Sequence, residues 1–448
     1  MSTENSGFPT GDLPTFDPAT LVACDTVHRD VYTSEAVHQI EVSRLFRRAW
    51  LYAGHQSELP TPGDYLSLDL ARQPVVIIRQ QDGSLVALHN RCAHKGTPVV
   101  TDRQGSTKGI LRCAYHGWTY KPDGSLLNIP LRNAYDKTAF SFCDAAIGLK
   151  RITAVEEYQG FIFVRLSDTG PSLTDYFGEA LKAIDNMVKR SPVGQLRLVQ
   201  PPLRHRIACN WKIYLENIND AVHPVSAHQS AWATARQFWQ GKAAEVPKPM
   251  AIEQMLPFGA GYDVLNNMGA RILPNGHSFF GTKSNIHSNY AALSDYQLAM
   301  HAAYGKQASD QILGFQSQNT VLYPGLSVKP SPLSMRVLRP VSAGETILEV
   351  WAFEAIGAPP DLLERALTYN RVAFSPMSVV AHDDIHIFEA VQQCLVSDAN
   401  PWISLHRDAS PELLAVEGQQ PIDINSANEG LMRNQFRAWA NLMSENPA

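Results

Sequence analysis

The hydrophobic positions change period along the chain. Residues 1 to 40 open Ser-, Pro-, Gly- and Asp-rich and then become weakly helical, with Ala36, Ile40, Leu45 and Phe46 at roughly helical spacing before Trp50. From Leu51 to Leu166 the pattern turns to short β-branched runs: Val75 to Arg79, Leu85 to Leu88, Ile110 to Leu111, Leu126 to Ile129 and Phe161 to Leu166. Turn signals at Asp82-Gly83 and Pro122-Asp123-Gly124 separate them, which predicts a small all-β domain. After residue 170 helical and strand periods mix. Ile207 to Cys209 ends a strand, Asn210 caps a helix carrying Ile213, Tyr214, Asn217 and Ala221, and Pro224 is expected to close that helix. Ser327 to Val337 and Glu345 to Phe353 alternate as strands, while Leu362 to Phe374 and Asp384 to Leu395 read as helices. Gln229 to Pro257 shows no strong period, which predicts a long loop or lid. Met432, Phe436, Trp439 and Met443 fall at i, i+4, i+7 and i+11, so a terminal helix should dock by one apolar stripe. The expected class is α+β: an arm over 1–46 packing on the second domain, an all-β domain over 47–166, and a domain over 167–448 built on an antiparallel sheet with helices.

Composition narrows the function. With 448 residues, 44% apolar and 18% charged, the chain can bury a large core. Its 38 basic and 43 acidic side chains give a net charge of -5 with no basic stripe, which argues against nucleic acid as the main partner. The first thirty residues hold no apolar signal region, and runs such as Val75 to Ile78 are too short to span a bilayer. No membrane association is therefore expected, and the cytoplasm is the expected location. Six cysteines are too few for a disulfide framework, so their spacing carries the information.

Two Cys-His pairs alternate: Cys92-Ala93-His94 and Cys113-Ala114-Tyr115-His116. A structural zinc finger groups two cysteines and then two histidines, so the alternation counts against zinc. With each pair on a loop between strands, one metal can take both thiolates and a second both imidazoles, the ligand division of a Rieske [2Fe-2S] centre. Through Cys92-x-His94 and Cys113-x-x-His116-Gly117-Trp118 the chain resembles the Rieske family. Thr97 and Tyr115 stand where the respiratory branch has two further cysteines, and Trp118 replaces its serine, so the resemblance is to the oxygenase branch. Trp118 reads equally well as a core aromatic capping the loop.

A second polar run follows, in which Glu216, Asp220 and His223 are spaced to share one helix face, with His228 on the turn beyond Pro224. From Glu216 to His228 the sequence fits the ring-hydroxylating oxygenase pattern Glu-Asn-x-x-Asp-x-x-His-x-x-x-x-His in full. The resemblance implies that His223 and His228 ligate a mononuclear non-haem iron whose third ligand is a distant carboxylate. Asp383 and Asp384 are the candidates, in a segment read as opening a helix. Asp384 is preferred, because it shares a face with Phe388 and Val391 and is followed at five and eight by Glu389 and Gln392, as in many relatives. Asp383 reads as a helix cap. Asp220 and Asn217 are the catalytic candidates. The resemblance implies that Asp220 joins a Rieske histidine of one subunit to an iron-ligating histidine of the next, hence a ring of three α chains, with or without a small β subunit. Val222 in place of a tyrosine leaves the subfamily open.

The expected protein is thus the α subunit of an aromatic dioxygenase, with an N-terminal Rieske domain and a helix-grip-like catalytic domain, using O2 to dihydroxylate an aromatic substrate, aromatic acids included. A Rieske monooxygenase or demethylase is the alternative, and a non-catalytic Rieske electron carrier the reading from another class. The chain has no dinucleotide fingerprint, and Cys24, Cys143, Cys209 and Cys394 are too scattered for a plant-type cluster, so electrons from NAD(P)H must come through a separate flavin reductase, a ferredoxin or both. Pocket side chains are expected from the 225–340 region, where Arg271, Lys283 and Arg336 are the candidates to meet a substrate carboxylate.

Overall fold

The structure, a computed structural model, describes residues 17, 20–141, 147–243, 245–286 and 293–444. The start of the arm and Cys143 lie outside the described residues. In the first domain the apolar run Val75 to Ile78 is buried on both faces of one strand, Gln73–Arg79. It sits at the centre of a five-stranded antiparallel sheet whose order is Arg151–Ile152, Leu85–His89, Gln73–Arg79, Asp64–Leu70 and Gln104–Ser106. Because side chains alternate across a sheet, Val76 and Ile78 pack with Cys92, Cys113 and Trp118, while Val75 and Ile77 pack with Ile162 and Val164 on the other side. A second sheet, Leu111–Arg112, Thr119–Tyr120 and Leu126–Asn128, carries the second Cys-His loop between its first two strands.

The second domain holds an eight-stranded antiparallel sheet running Leu196–Ile207, Glu345–Ala355, Ser334–Ser342, Leu326–Lys329, Asn319–Leu322, Ser278–Phe280, Ala270–Ile272 and Ile422–Ile424. Helices Trp211–Ile218, Pro360–Phe374, Val379–Cys394 and Gly430–Met443 accompany it. Asn210 caps the first of these as expected, its side chain accepting from the Lys212 amide. Met432, Phe436, Trp439 and Met443 are all buried on the last.

Four expectations need correction. Pro224 does not close the Asn210-capped helix, which ends at Ile218; the proline is the second residue of the next helix, His223–Ala227, where its missing N–H costs nothing. The predicted loop over 229–257 holds helices Gln229–Trp239 and Met250–Met255. Only Ala235 is buried on the first of these, so no apolar stripe marked it. Ser327 to Val337 is two strands joined by a turn after Lys329, not one. Finally, the Asp383-Asp384 segment does not open its helix: Ser378 caps it and the helix starts at Val379.

The arm residues Tyr32, Ile40 and Phe46 share one core with Trp211 and Trp439. Glu41 anchors them. Fully buried, it accepts from Lys212 Nζ at 2.5 Å, Trp439 Nε1 at 2.7 Å and Trp211 Nε1 at 3.1 Å. Burial alone would raise its carboxyl, yet Lys212 and His38 outweigh that and hold it at about 2. Glu41→Ala would strand the buried Lys212 charge, so the catalytic domain should lose about 3–5 kcal/mol of stability, read as a lowered denaturation midpoint.

Candidate metal centres

The two Cys-His loops are built alike. In each, the cysteine N–H donates to the carbonyl five residues on, Cys92 to Thr97 and Cys113 to Trp118, both at 2.8 Å. The glycine four residues on donates back to the cysteine carbonyl, Gly96 at 2.9 Å and Gly117 at 3.1 Å. Both glycines hold left-handed φ, +79° and +71°, which explains their place in the motif. The turns bury both thiols and bring the His94 and His116 rings to 4.6 Å between centroids, with His116 exposed. Tyr120 Oη lies 3.1 Å from Cys92 Sγ. Trp118 is buried, as a core aromatic capping the loop should be, and it also stacks parallel on His94 at 4.9 Å. His94 Nδ1 is buried without a hydrogen-bond partner. A buried imidazole nitrogen of that kind, beside two buried thiols and a second imidazole, fits a Rieske cluster.

In the second domain His223 Nε2 and His228 Nε2 lie 3.9 and 3.4 Å from Asp384 Oδ1, the three ligand atoms falling within 4.8 Å of one another. Two imidazole nitrogens and one carboxylate oxygen converging beside an open cavity are the donor set of a facial triad, so the residues fit a mononuclear iron. Each imidazole is backed by a carboxylate. Asp220 Oδ2 lies 3.0 Å from His223 Nδ1 and also accepts the His223 N–H at 2.7 Å, while Asp383 Oδ2 faces His228 Nδ1 at 3.5 Å. This pairing turns both Nε2 atoms toward Asp384. Asp383 is therefore no cap but the partner of a histidine. Asn217 Nδ2 donates to Asp384 Oδ1 at 3.3 Å.

The expected shared face of Glu216, Asp220 and His223 does not form, because the helix stops before Asp220. Glu216 turns away to accept from Tyr32 Oη at 2.8 Å, and burial pushes its carboxyl up to about 8. Burial likewise raises Asp384 to about 6, against the pull of His223, Arg336 and Asn217. His228 is pushed down to about 4 by burial and then by the His223 charge. Asp220 stays below the ordinary range because its bonds to His223 outweigh burial.

Two residues escaped the sequence reading and a third took another role. Arg407 reaches Asp220 Oδ1 at 3.2 Å and Glu429 Oε1 at 3.3 Å, from a point in the chain too distant for any spacing to reveal. Asp383 was given the wrong role. Lys329 was concealed by the missed turn. A cavity of about 70 Å3 adjoins the triad, with Phe258, Leu265, Met268 and Phe280 on its walls. Of the three candidate cations Arg336 lines it. Arg271 instead pairs with Glu179 and Asp423, each at 3.6 Å, and Lys283 borders another hollow beside Asp408 and Asp423.

Residues 49–147 match the Rieske [2Fe-2S] domain, and residues 194–445 match the ring hydroxylating alpha subunit catalytic domain. The toluate 1,2-dioxygenase alpha subunit of Pseudomonas putida is 26% identical over 93% of this chain and 90% of its own. The N,N-dimethyl phenylurea N-demethylase alpha subunit of Sphingobium sp. (strain YBL2) is 29% identical over 89% and 85%. A solved structure of naphthalene 1,2-dioxygenase with indole bound in the active site superposes with a TM-score of 0.75 at 23% identity, covering 95% of this chain and 94% of that one. The catalytic-domain match alone spans more than half of the residues, and the chain belongs to the ring-hydroxylating oxygenase alpha subunits, with an N-terminal Rieske domain.

Proposed function

We propose that the protein is the terminal oxygenase of an aromatic ring-hydroxylating dioxygenase, converting an aromatic substrate and O2 to a dihydroxylated product. The observation that carries this reading is the convergence of His223, His228 and Asp384 within 4.8 Å, in a chain that also bears the paired Cys-His loops. When bound, a [2Fe-2S] cluster supplies single electrons, and a ferrous ion held by two imidazoles and a carboxylate supplies O2 activation.

The chain's own groups do the rest. Cys92, Cys113, His94 and His116 would hold the cluster, and the exposed His116 would give it an edge toward other proteins. Asp220 fixes the proton of the His223 imidazole on Nδ1, leaving its Nε2 free to bind metal, and the Asp383 carboxylate faces the His228 Nδ1 at 3.5 Å. Asn217 steadies Asp384. Apolar walls exclude water from the substrate. Asp220, with 13% of its side chain exposed, carries the link toward the Rieske histidines of a neighbouring subunit in a homo-oligomeric ring, three α chains with or without β subunits. Electrons come from NAD(P)H through a separate reductase, directly or by a ferredoxin, and this suits work in the cytoplasm. No helix among the described residues is long and apolar enough to cross a membrane.

The demethylase relative supports a second reading, in which the same residues insert one oxygen atom into a differently posed substrate. Oxygen uptake by the reconstituted system with aromatic acids and hydrocarbons decides between them. A product with two new hydroxyl groups is expected; a single hydroxyl or a demethylated product would favour the second reading, and a cluster that no reductase reduces would refute both.

A pH effect follows from Asp384. A carboxyl raised to about 6 must lose its proton to bind metal, so iron loading of the apoprotein should weaken by about tenfold per unit as the pH falls below 6. Loading constants measured by competition with a chelator check this.

A further inference from the structure

Two cations line the substrate cavity together with Asp384, and neither forms an ion pair among the described residues. Strand Leu326–Lys329 pairs antiparallel with Ser334–Ser342, and Ser327 stands directly opposite Arg336. Lys329 lies two residues beyond Ser327, so it and Arg336 project from the same face of the sheet as diagonal neighbours. Both line the cavity that adjoins His223, His228 and Asp384. Both are more than nine-tenths buried, Lys329 at 4% and Arg336 at 7% exposure.

Other buried cations divide: Lys212 meets Glu41 and Arg433 meets Glu417, while Arg165 and Arg190 donate to main-chain carbonyls away from the substrate cavity. Arg336 has only neutral partners: Asn319 Oδ1 at 2.6 Å, Ser327 Oγ at 3.3 Å and the Tyr214 hydroxyl. Lys329 Nζ donates to Tyr369 Oη at 2.8 Å. Neither forms an ion pair among the described residues, and Asp384 feels Arg336 only through space. Two like charges set side by side in an apolar interior destabilise the empty protein, and such an arrangement persists where a ligand completes it. Burial and the Arg336 charge already push the Lys329 ammonium well below its ordinary range, an effect that a bound anion would reverse.

We propose that Arg336 and Lys329 form an anion subsite of the substrate pocket, and that the substrate is an arene bearing a carboxylate. This inference rests on the oxygenase reading of the site and names its substrate class. The planar guanidinium suits a carboxylate geometrically, and the lysine adds a point charge. The apolar walls take the ring. Anchoring the acid group on the sheet fixes which ring carbons face the triad, which is the positional control a ring hydroxylase needs.

The test is binding without turnover. The iron-loaded protein, kept anaerobic and unreduced, is titrated by calorimetry with benzoate, the toluates and naphthoates, and with the carboxamide matching each acid in shape. At least one acid should bind about 10–100-fold more tightly than its amide, the difference that charge-assisted hydrogen bonds supply. Lys329→Met and Arg336→Met should each erase most of that preference, with acid affinity falling far more than amide affinity. Lys329→Met should also melt no lower than wild type without ligand, since it removes an uncompensated charge; this keeps the test usable if Arg336→Met fails to fold. Equal affinities of acids and amides, no acid binding at millimolar concentration, or an undiminished preference in Lys329→Met would overturn the proposal. Because no oxygen chemistry enters the measurement, acid binding with no later O2 uptake would count against the oxygenase reading alone.

Discussion

Asp384→Ala should yield a folded protein that keeps its Rieske spectrum but holds no mononuclear iron and turns over no substrate. Asp384 Oδ1 is the point on which both Nε2 atoms converge, at 3.9 and 3.4 Å, and two imidazoles alone leave the ion one protein ligand short. Asp384 sits six residues into a helix capped by Ser378, so alanine there removes no cap and suits the helix. Its neighbour makes the control. Asp383 touches His228 on the side away from the triad, so Asp383→Ala should bind iron about 10–100-fold more weakly yet still load at saturating iron. Iron content after desalting, beside the visible spectrum, separates the two. Iron retained in Asp384→Ala but lost in Asp383→Ala would mean that the ligand is the other aspartate.

The second large effect is on electron transfer. Asp220→Asn keeps the size of the side chain but removes the charge that holds His223 Nδ1 at 3.0 Å and that Arg407 engages at 3.2 Å on the other oxygen. Both metal centres should survive, because neither takes Asp220 as a ligand. The reduced Rieske centre should then reoxidise at least about 10–100-fold more slowly with substrate and O2 present, followed as stopped-flow absorbance. Wild-type reoxidation in the mutant would take Asp220 off the route. A fully active monomer would remove the intersubunit link on which the expectation depends.

What was legible in the sequence was whatever is local. The Cys-His loops each close within six residues by their own main-chain bonds, and the Asn210 cap acts two residues away, so spacing alone exposed them. The Asp384 assignment had help from Glu389 and Gln392, which bind the Ala208 and Asn210 amides and so tie that helix to the start of the Asn217 helix. Where local signals were weak the reading went astray. The helix Gln229–Trp239 buries one residue and has no stripe to detect, and a proline at its second position made His223–Ala227 look like a terminator. Partners far apart in sequence were invisible: Arg407 lies 187 residues from Asp220, and Glu216 spends its carboxylate on Tyr32, 184 residues upstream. The turn after Lys329 mattered most, since reading one strand where there are two concealed a second cation in the substrate cavity.

The most direct measurement is metal and sulfide content of the purified wild-type protein beside His94→Ala, with EPR of each after reduction. The wild type should hold about three irons and two acid-labile sulfides per chain and give a Rieske signal. His94→Ala should lose that signal while keeping the iron that His223, His228 and Asp384 bind. Zinc in place of iron and sulfide, or an unchanged Rieske signal in His94→Ala, would contradict the account.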